Sequence, residues 1–194
     1  MAILDKSTNL TGKLLLAMPA MSDPRFYKAV IYICAHDEKG AMGLIVNHQL
    51  PNLEFPDLLQ QLNITSDITL DTQKIRIPVL SGGPVEMARG FLLHSPEFQQ
   101  KDTIQIDQNL CVTGTIEALR DVAAGKGPDK MLFILGYAGW TAGQLEQELQ
   151  DNAWLLVNPD PAVIFEPLHD KKWDMALALL GVDPAMLSND AGHA

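Results

Sequence analysis

The sequence predicts an α+β fold: a compact, mixed and largely antiparallel sheet flanked by helices. Three observations predict it. Short apolar and β-branched runs crowd the opening part of the 194-residue chain. Helical spacing then enters irregularly, so strands and helices do not alternate as a parallel βαβ sheet requires. Hydrophobic residues make up 47% and charged residues 20%, enough for a buried core and too apolar for a disordered chain.

Lys13–Met18 is an apolar run stopped by Pro19 and predicts a buried strand. Lys28–Ala35 and Ala41–Asn47 predict an antiparallel hairpin across the polar turn His36–Gly40, a loop of about four to five residues. Gly43 inside the second strand signals a bulge or a close backbone approach. Phe55–Leu62 is a short helix, with Pro56 suited to its first turn and Leu58, Leu59 and Leu62 on one face. A polar loop is expected over Asn63–Gln73, a strand over Ile75–Leu80, and a sharp turn at Ser81-Gly-Gly-Pro84 before a strand at Gly90–His94.

An edge strand is expected at Thr103–Ile106 and another strand at Leu110–Thr113. Ile116, Leu119, Val122 and Ala123 recur at helical spacing and predict a helix over Thr115–Ala124, ended by Gly125-Lys-Gly-Pro128. Met131–Tyr137 predicts a central strand, with Gly136–Trp140 as the turn after it. Thr141-Ala-Gly-Gln144 has the spacing of a capping box opening a helix to Asp151. Trp154–Val157 is a further strand, Ala162–Phe165 a short segment of open type, and Lys171–Leu180 a final helix docked by Trp173, Leu177 and Leu180. No repeat or linker interrupts the chain. One domain over residues 1–187 is expected, with a small subdomain around 50–75 and a flexible tail at 188–194.

The formal net charge is −10. Phosphate binding needs a basic stripe, so direct nucleic-acid recognition is disfavoured. The acidity is uneven: residues 1–97 hold 8 basic against 10 acidic side chains, and residues 98–194 hold 6 against 14. The near-neutral first half therefore still allows a small anionic ligand. The N-terminus lacks the charged and apolar regions of a signal peptide. The longest uncharged stretch, Met131–Leu145, has 15 residues and is interrupted by glycines, too short to span a bilayer. A cytoplasmic protein without membrane contact is expected. Cys34 and Cys111 belong to no C-x-x-C pair and are expected to be buried, reduced thiols. His36, His48, His94, His169 and His193 have no H-x-x-x-H or H-E-x-x-H spacing, and no G-x-x-x-x-G-K-[ST] loop is present. No metal and no cofactor are expected.

Several blocks carry a family resemblance. They are Leu16-Ala-Met-Pro19 with Asp23-Pro24, Gly40-Ala-Met-Gly-Leu-Ile-Val-Asn47, Ser81-Gly-Gly-Pro-Val85, Arg89-Gly-Phe-Leu-Leu-His94, Leu135-Gly-Tyr-Ala-Gly-Trp-Thr-Ala-Gly-Gln-Leu-Glu146 and Trp154-Leu-Leu156. Together, in this order from about Gly12 to Trp173, they resemble the YqgE/AlgH family. The resemblance implies a bacterial, cytoplasmic α+β protein with a mixed sheet. It implies a link to transcriptional regulation through the family name, and it brings no agreed catalytic residues.

The residues themselves nominate a ligand site made of Asn47, Ser81, Gly82, Gly83, Arg89, His94, Tyr137, Gly139 and Trp140. Gly-bearing turns before a capped helix can expose backbone N–H groups to an anion, or can serve close packing alone. Arg89 offers a planar fork for carboxylate or phosphate, and its bland alternative is an ion pair with Glu86 or Glu97. His94 can act as a base near neutral pH or sit as a hydrogen-bonded histidine in the sheet. Tyr137 and Trp140 can line a pocket or the core. Cys34 and His36, two residues apart on a strand, share a face if the strand is regular, but no third group completes a thiolate–imidazole dyad. Ser81 lacks the G-x-S-x-G elbow of a nucleophile.

The resulting expectation is a non-enzymatic regulatory protein that binds a small anionic ligand or a protein partner. The alternatives are an enzyme, a hydrolase or transferase with a dispersed site in the same cleft, and a regulator acting at DNA. No basic recognition helix supports the last of these. A gel-shift titration against salt is expected to show no duplex retardation even at low ionic strength, where phosphate contacts are strongest.

Overall fold

The N-terminal apolar runs become three adjacent antiparallel strands in the computed structural model, which describes residues 9–64 and 77–187. These are β1 (Leu14–Ala17), β2 (Val30–Asp37) and β3 (Gly40–Ile45). They are followed by β4 (Gln49–Glu54), helix α1 (Phe55–Gln61), β5 (Pro78–Ser81), β6 (Val85–His94), β7 (Ile104–Gln105) and β8 (Cys111–Thr113). Helix α2 (Ile116–Ala123), β9 (Met131–Thr141), α3 (Gln144–Gln150), β10 (Trp154–Val157), α4 (Pro161–Ile164) and α5 (Lys172–Ala178) complete the order. The main path of the sheet runs β10-β1-β2-β3-β9-β6-β8-β7, with β5 paired to both β9 and β4. Among the described residues every pairing is antiparallel except β5 with β9. The predicted α+β class with a mixed, largely antiparallel sheet is thus observed.

Three apolar clusters flank this sheet, and strand alternation assigns them. On β2, Val30, Tyr32 and Cys34 face one cluster, while Ile31 and Ile33 face another. The third lies under α1 and α2, where Phe55, Leu58, Leu119 and Val122 meet Phe133 of β9. Among the described residues only β9 supplies buried side chains to all three: Ile134 to the first, Trp140 to the second and Phe133 to the third.

Several expected elements differ in extent. The β2–β3 connection is a two-residue turn, Glu38-Lys39, because Asp37 pairs directly with Gly40. β4 was not expected, since Pro51 interrupts its pattern. It is mostly exposed and paired only to β5, a place where a strand tolerates proline. β6 begins at Val85, before the expected Gly90, and its register to β9 breaks between those two residues. The expected turn at Gly136–Trp140 is strand: β9 continues to Thr141 because Ala138–Thr141 pair with Gly40–Gly43 of β3. The open segment at 162–165 is helical through Ile164, the end of α4, with Phe165 as its C-cap. The expected tail at 188–194, most of the expected 63–73 loop and residues 65–75 of the expected 50–75 subdomain lie outside the described residues.

The C-terminal helix is tied down by two buried polar side chains. Trp173 Nε1 donates to Ala17 O at 3.0 Å, and Lys172 Nζ donates to Val46 O at 2.8 Å and Ile164 O at 2.6 Å. Lys172 is fully buried, and burial pushes its pKa down to about 7 from the ordinary 10.5. Between those two values the unfolded chain binds more protons than the folded one, so this group makes stability rise with pH. Urea unfolding is expected to show the advantage of wild type over Lys172→Met growing from neutral pH to about pH 9. A constant difference across that range contradicts the burial of an ionisable amine.

Candidate functional site

β9 carries the residues from which the site is built. At Gly136 its backbone turns left-handed, with φ +74°, and the strand changes partners there. Before the kink it is flanked by β5 and β6; after it β3 takes the place of β5, while Tyr137 still pairs with Val85 of β6. Gly82 and Gly83 lie on the kink. Gly82 N donates to Leu135 O at 2.7 Å, and Ile45 N donates to Gly82 O at 3.0 Å. A Cβ on Gly82 collides with Gly136 O and Ile134 Cγ2, and a Cβ on Gly83 collides with the Tyr137 backbone. These glycines therefore serve close backbone packing, one of the two readings open to them. Ser81 continues the same ladder, paired with Leu135 and donating its N–H to His48 O at 2.8 Å.

Asn47 is likewise structural. Its Oδ1 accepts from Val30 N and its Nδ2 donates to Lys28 O, both at 2.8 Å. Arg89 lies in the irregular stretch of β6, exposed, paired with Glu86 at 3.0 Å and with its guanidinium 5.1 Å from the Phe91 ring centroid. His94 pairs with Met131 at the opposite end of β9 from Trp140, nine residues away and so roughly 30 Å along the strand. It is fully buried, between Thr113 Oγ1 and Ser95 O at 2.8 Å each. Desolvation lowers its pKa, and it is a satisfied core histidine. Tyr137 packs edge-on against Phe91 with ring centroids 6.1 Å apart.

Gly139 and Trp140, however, do line a cleft, of about 350 Å³. Asp23 and Arg25 reach it from the Pro24–Phe26 3-10 turn, Pro84 from the glycine turn, Gln144 and Glu148 from α3, and Trp154 from β10. Glu148 is its hub. One carboxylate oxygen accepts from both indoles, Trp140 Nε1 at 2.8 Å and Trp154 Nε1 at 2.7 Å. The other accepts from Gln144 Nε2 at 2.9 Å. The rings of Phe26, Trp154 and Trp140 meet edge to face, with centroids 5.6 and 6.0 Å apart. At the mouth, Asp23 and Arg25 form a short fork, and the guanidinium holds the Asp23 carboxyl below its usual range.

The expected capping box is half formed. Gln144 Oε1 accepts from Thr141 N at 3.0 Å, but the helix starts at Gln144 behind a left-handed Gly143. The expected Cys34–His36 alignment fails, because a bulge between Ile33 and Ala35 breaks the alternation. Cys34 is buried with its thiol pushed up to about 12, while His36 turns toward Glu146 at 2.8 Å. Leu10 N–H donates to His36 Nδ1, so Nε2 carries the proton that Glu146 accepts. Both cysteines are buried and unbridged. Among the described residues no group of three or more His, Cys, Asp or Glu side chains could hold a metal ion, and no helix is long and apolar enough to cross a membrane.

The fold and cleft define a mixed-sheet scaffold with an aromatic, carboxylate-centred pocket between the end of β9, α3 and the start of β10. A family model described as AlgH-like matches residues 14–185, and the chain belongs to that family. It is 52% identical over 189 residues to a UPF0301 protein of Methylobacterium nodulans, covering 95% of this chain and 90% of that one. A UPF0301 protein of Jannaschia is 47% identical over 196 residues, covering all of both chains. The solution structure of the AlgH protein from Pseudomonas aeruginosa superposes with a TM-score of 0.78 at 40% identity, covering both chains fully. A protein of Corynebacterium diphtheriae shares the fold at a TM-score of 0.69 and 18% identity over 90% of each chain.

The seam and the cleft separate by mutation. Gly83 has φ +147° and no room for a Cβ, whereas the nearest atom to a Cβ on Gly139 is Tyr137 Cε2 at 3.5 Å. Gly83→Ala is expected to cost about 3 kcal/mol or more through strain and overpacking, and Gly139→Ala less than about 1 kcal/mol. Thermal unfolding of the two variants measures the contrast.

Proposed function

We propose that this chain is a non-enzymatic regulatory protein whose tryptophan cleft binds a small ligand or partner side chain through a cationic group. One observation carries the reading. The Glu148 carboxylate is held by three neutral donors, with no cationic side chain within ion-pair distance among the described residues. Arg25, the cation at the mouth, is committed to Asp23. The cleft floor therefore keeps a negative charge beside aromatic walls. An ammonium or guanidinium group complements it, and the anion suggested by Arg89 does not, since Arg89 is occupied elsewhere by Glu86.

Binding is preferred over catalysis because the cleft contains no imidazole or thiol to pair with its carboxylates. The His36–Glu146 pair, the closest approach to an acid–base couple, lies outside this lining. A regulatory role through what the cleft holds accords with the transcriptional link of the family name and needs no DNA contact.

Trp140 and Trp154 report on the cleft directly. Titration with alkylammonium and guanidinium compounds is expected to change tryptophan emission saturably, while matched carboxylates leave it unchanged. Glu148→Gln keeps an oxygen for the indoles and removes the charge, and is expected to weaken binding about tenfold or more. A response to carboxylates, or an undiminished response in Glu148→Gln, defeats the proposal.

A further inference from the structure

We propose that the tryptophan cleft selects a quaternary ammonium group, a nitrogen cation whose N–H donors are all replaced by carbon. The inference rests on the cation-binding reading of that cleft and names the class of cation it takes.

The cleft carries negative charge but has little hydrogen-bonding capacity to spare. An ionised carboxylate accepts at about four lone-pair positions, two on each oxygen. Glu148 Oε2 accepts from both indole N–H groups, which fills it. Its Oε1 accepts from Gln144 Nε2 and keeps one position. Asp23 is filled by a single neighbour: Oδ1 accepts from Arg25 N and Nε, and Oδ2 from Nε and Nη2. Gln144 Oε1 accepts from Thr141 N and Oγ1. Among the side-chain oxygens of the lining, one position on Glu148 is left, together with the Ser22 hydroxyl at the exposed mouth.

That shortage decides between cations. A primary ammonium brings three N–H donors and an alkylguanidinium five. On entering the cleft either one gives up water and finds one free carboxylate position at the floor, and donors left unpaired are costly. A quaternary ammonium has no donor to satisfy. It needs a negative charge nearby and aromatic walls, and the cleft supplies both. Glu148 is only partly buried, so its charge reaches the cleft. Phe26, Trp154 and Trp140 meet at interplanar angles of 77° and 78°, so successive rings form the sides of a corner and not a flat stack. Both indoles are largely buried and held by Glu148, so this corner exists before a ligand arrives. Ring faces attract cations, and one cation already sits at this wall: the Arg25 guanidinium carbon lies 5.9 Å from the Phe26 ring centroid. The volume of about 350 Å³ has room for a trimethylammonium head.

The test titrates the whole chain at neutral pH with choline, ethanolamine and 3,3-dimethylbutan-1-ol, read by tryptophan emission. The three share a two-carbon alcohol and end in a trimethylammonium, a primary ammonium and a neutral tert-butyl group. Choline is expected to bind about tenfold or more tighter than either of the others. Phe26→Leu is expected to weaken choline about fivefold by removing one ring. Should that variant fail to fold, the wild-type series decides. A short peptide carrying trimethyllysine is compared with choline, and the tighter of the two tells whether the head arrives on a partner's side chain or on a free small molecule. The inference is overturned if ethanolamine or methylguanidinium binds as tightly as choline, or if Phe26→Leu binds choline as tightly as wild type; the cation reading of the cleft then still stands. If no cation changes the emission, or the neutral alcohol binds as tightly as choline, both fall together.

Discussion

The kink of β9 at Gly136 is the constraint on which the rest of the architecture depends. The strand pairs with β5 along one stretch and with β3 along the next, and its path bends between them. The bend is made by a left-handed glycine and is held by two more glycines that admit the facing backbone. Because the same strand feeds all three apolar clusters, the bend also sets how those clusters sit relative to one another. Everything near the cleft inherits its position from this point. Trp140 lies four residues beyond the kink, and Pro84 immediately follows the glycines that support it.

Around that bend, polar groups are placed with economy. Glu148 settles two indole N–H groups with one oxygen, so the orientation of both rings depends on a single carboxylate from α3. Lys172 and Trp173 do the corresponding work for α5, donating to carbonyls of strands far away in sequence. Such contacts are strong where water is excluded, and they fix a unique arrangement because an unpaired buried donor is costly. Thr115 and His169 break this pattern, with a buried hydroxyl and two buried ring nitrogens that have no hydrogen-bond partner.

Elements governed by local pattern were legible in the sequence. β1, β2, β10 and α2 follow from apolar runs and helical spacing alone, and Trp173 and Leu177 dock α5 as their spacing predicts, whereas the expected third residue, Leu180, lies beyond the helix end and is exposed. β4 was not legible, because Pro51 and an exposed pattern resemble a loop until β5 pairs with it. The second half of β9 has the sequence of a turn because its glycines carry turn propensity, and the pairing with β3 overrides that propensity. The site was partly legible. Gly139 and Trp140 reach the cleft, while His94 lies at the far end of the strand and Arg89 points into solvent. Asp23, Glu148 and Trp154 do not stand out as site residues in the sequence because tertiary pairing brings the segment around residue 23 to that around 148–154. The Gln144–Glu148 spacing of one helical turn was the available signal for Glu148.

The pairing of β1 with β10 joins Leu14 to Val157. On the ribosome, the first strand emerges long before this partner exists. β1 can meet β2 early, but its other edge stays open until β10 follows α3 out of the exit tunnel. α5, whose Trp173 caps the carbonyl of Ala17, arrives later still. Chains closed by such distant contacts fold slowly and expose unpaired strand edges while they wait. Synthesis therefore leaves the nascent chain with an adhesive N-terminal edge until β10 and α5 have emerged.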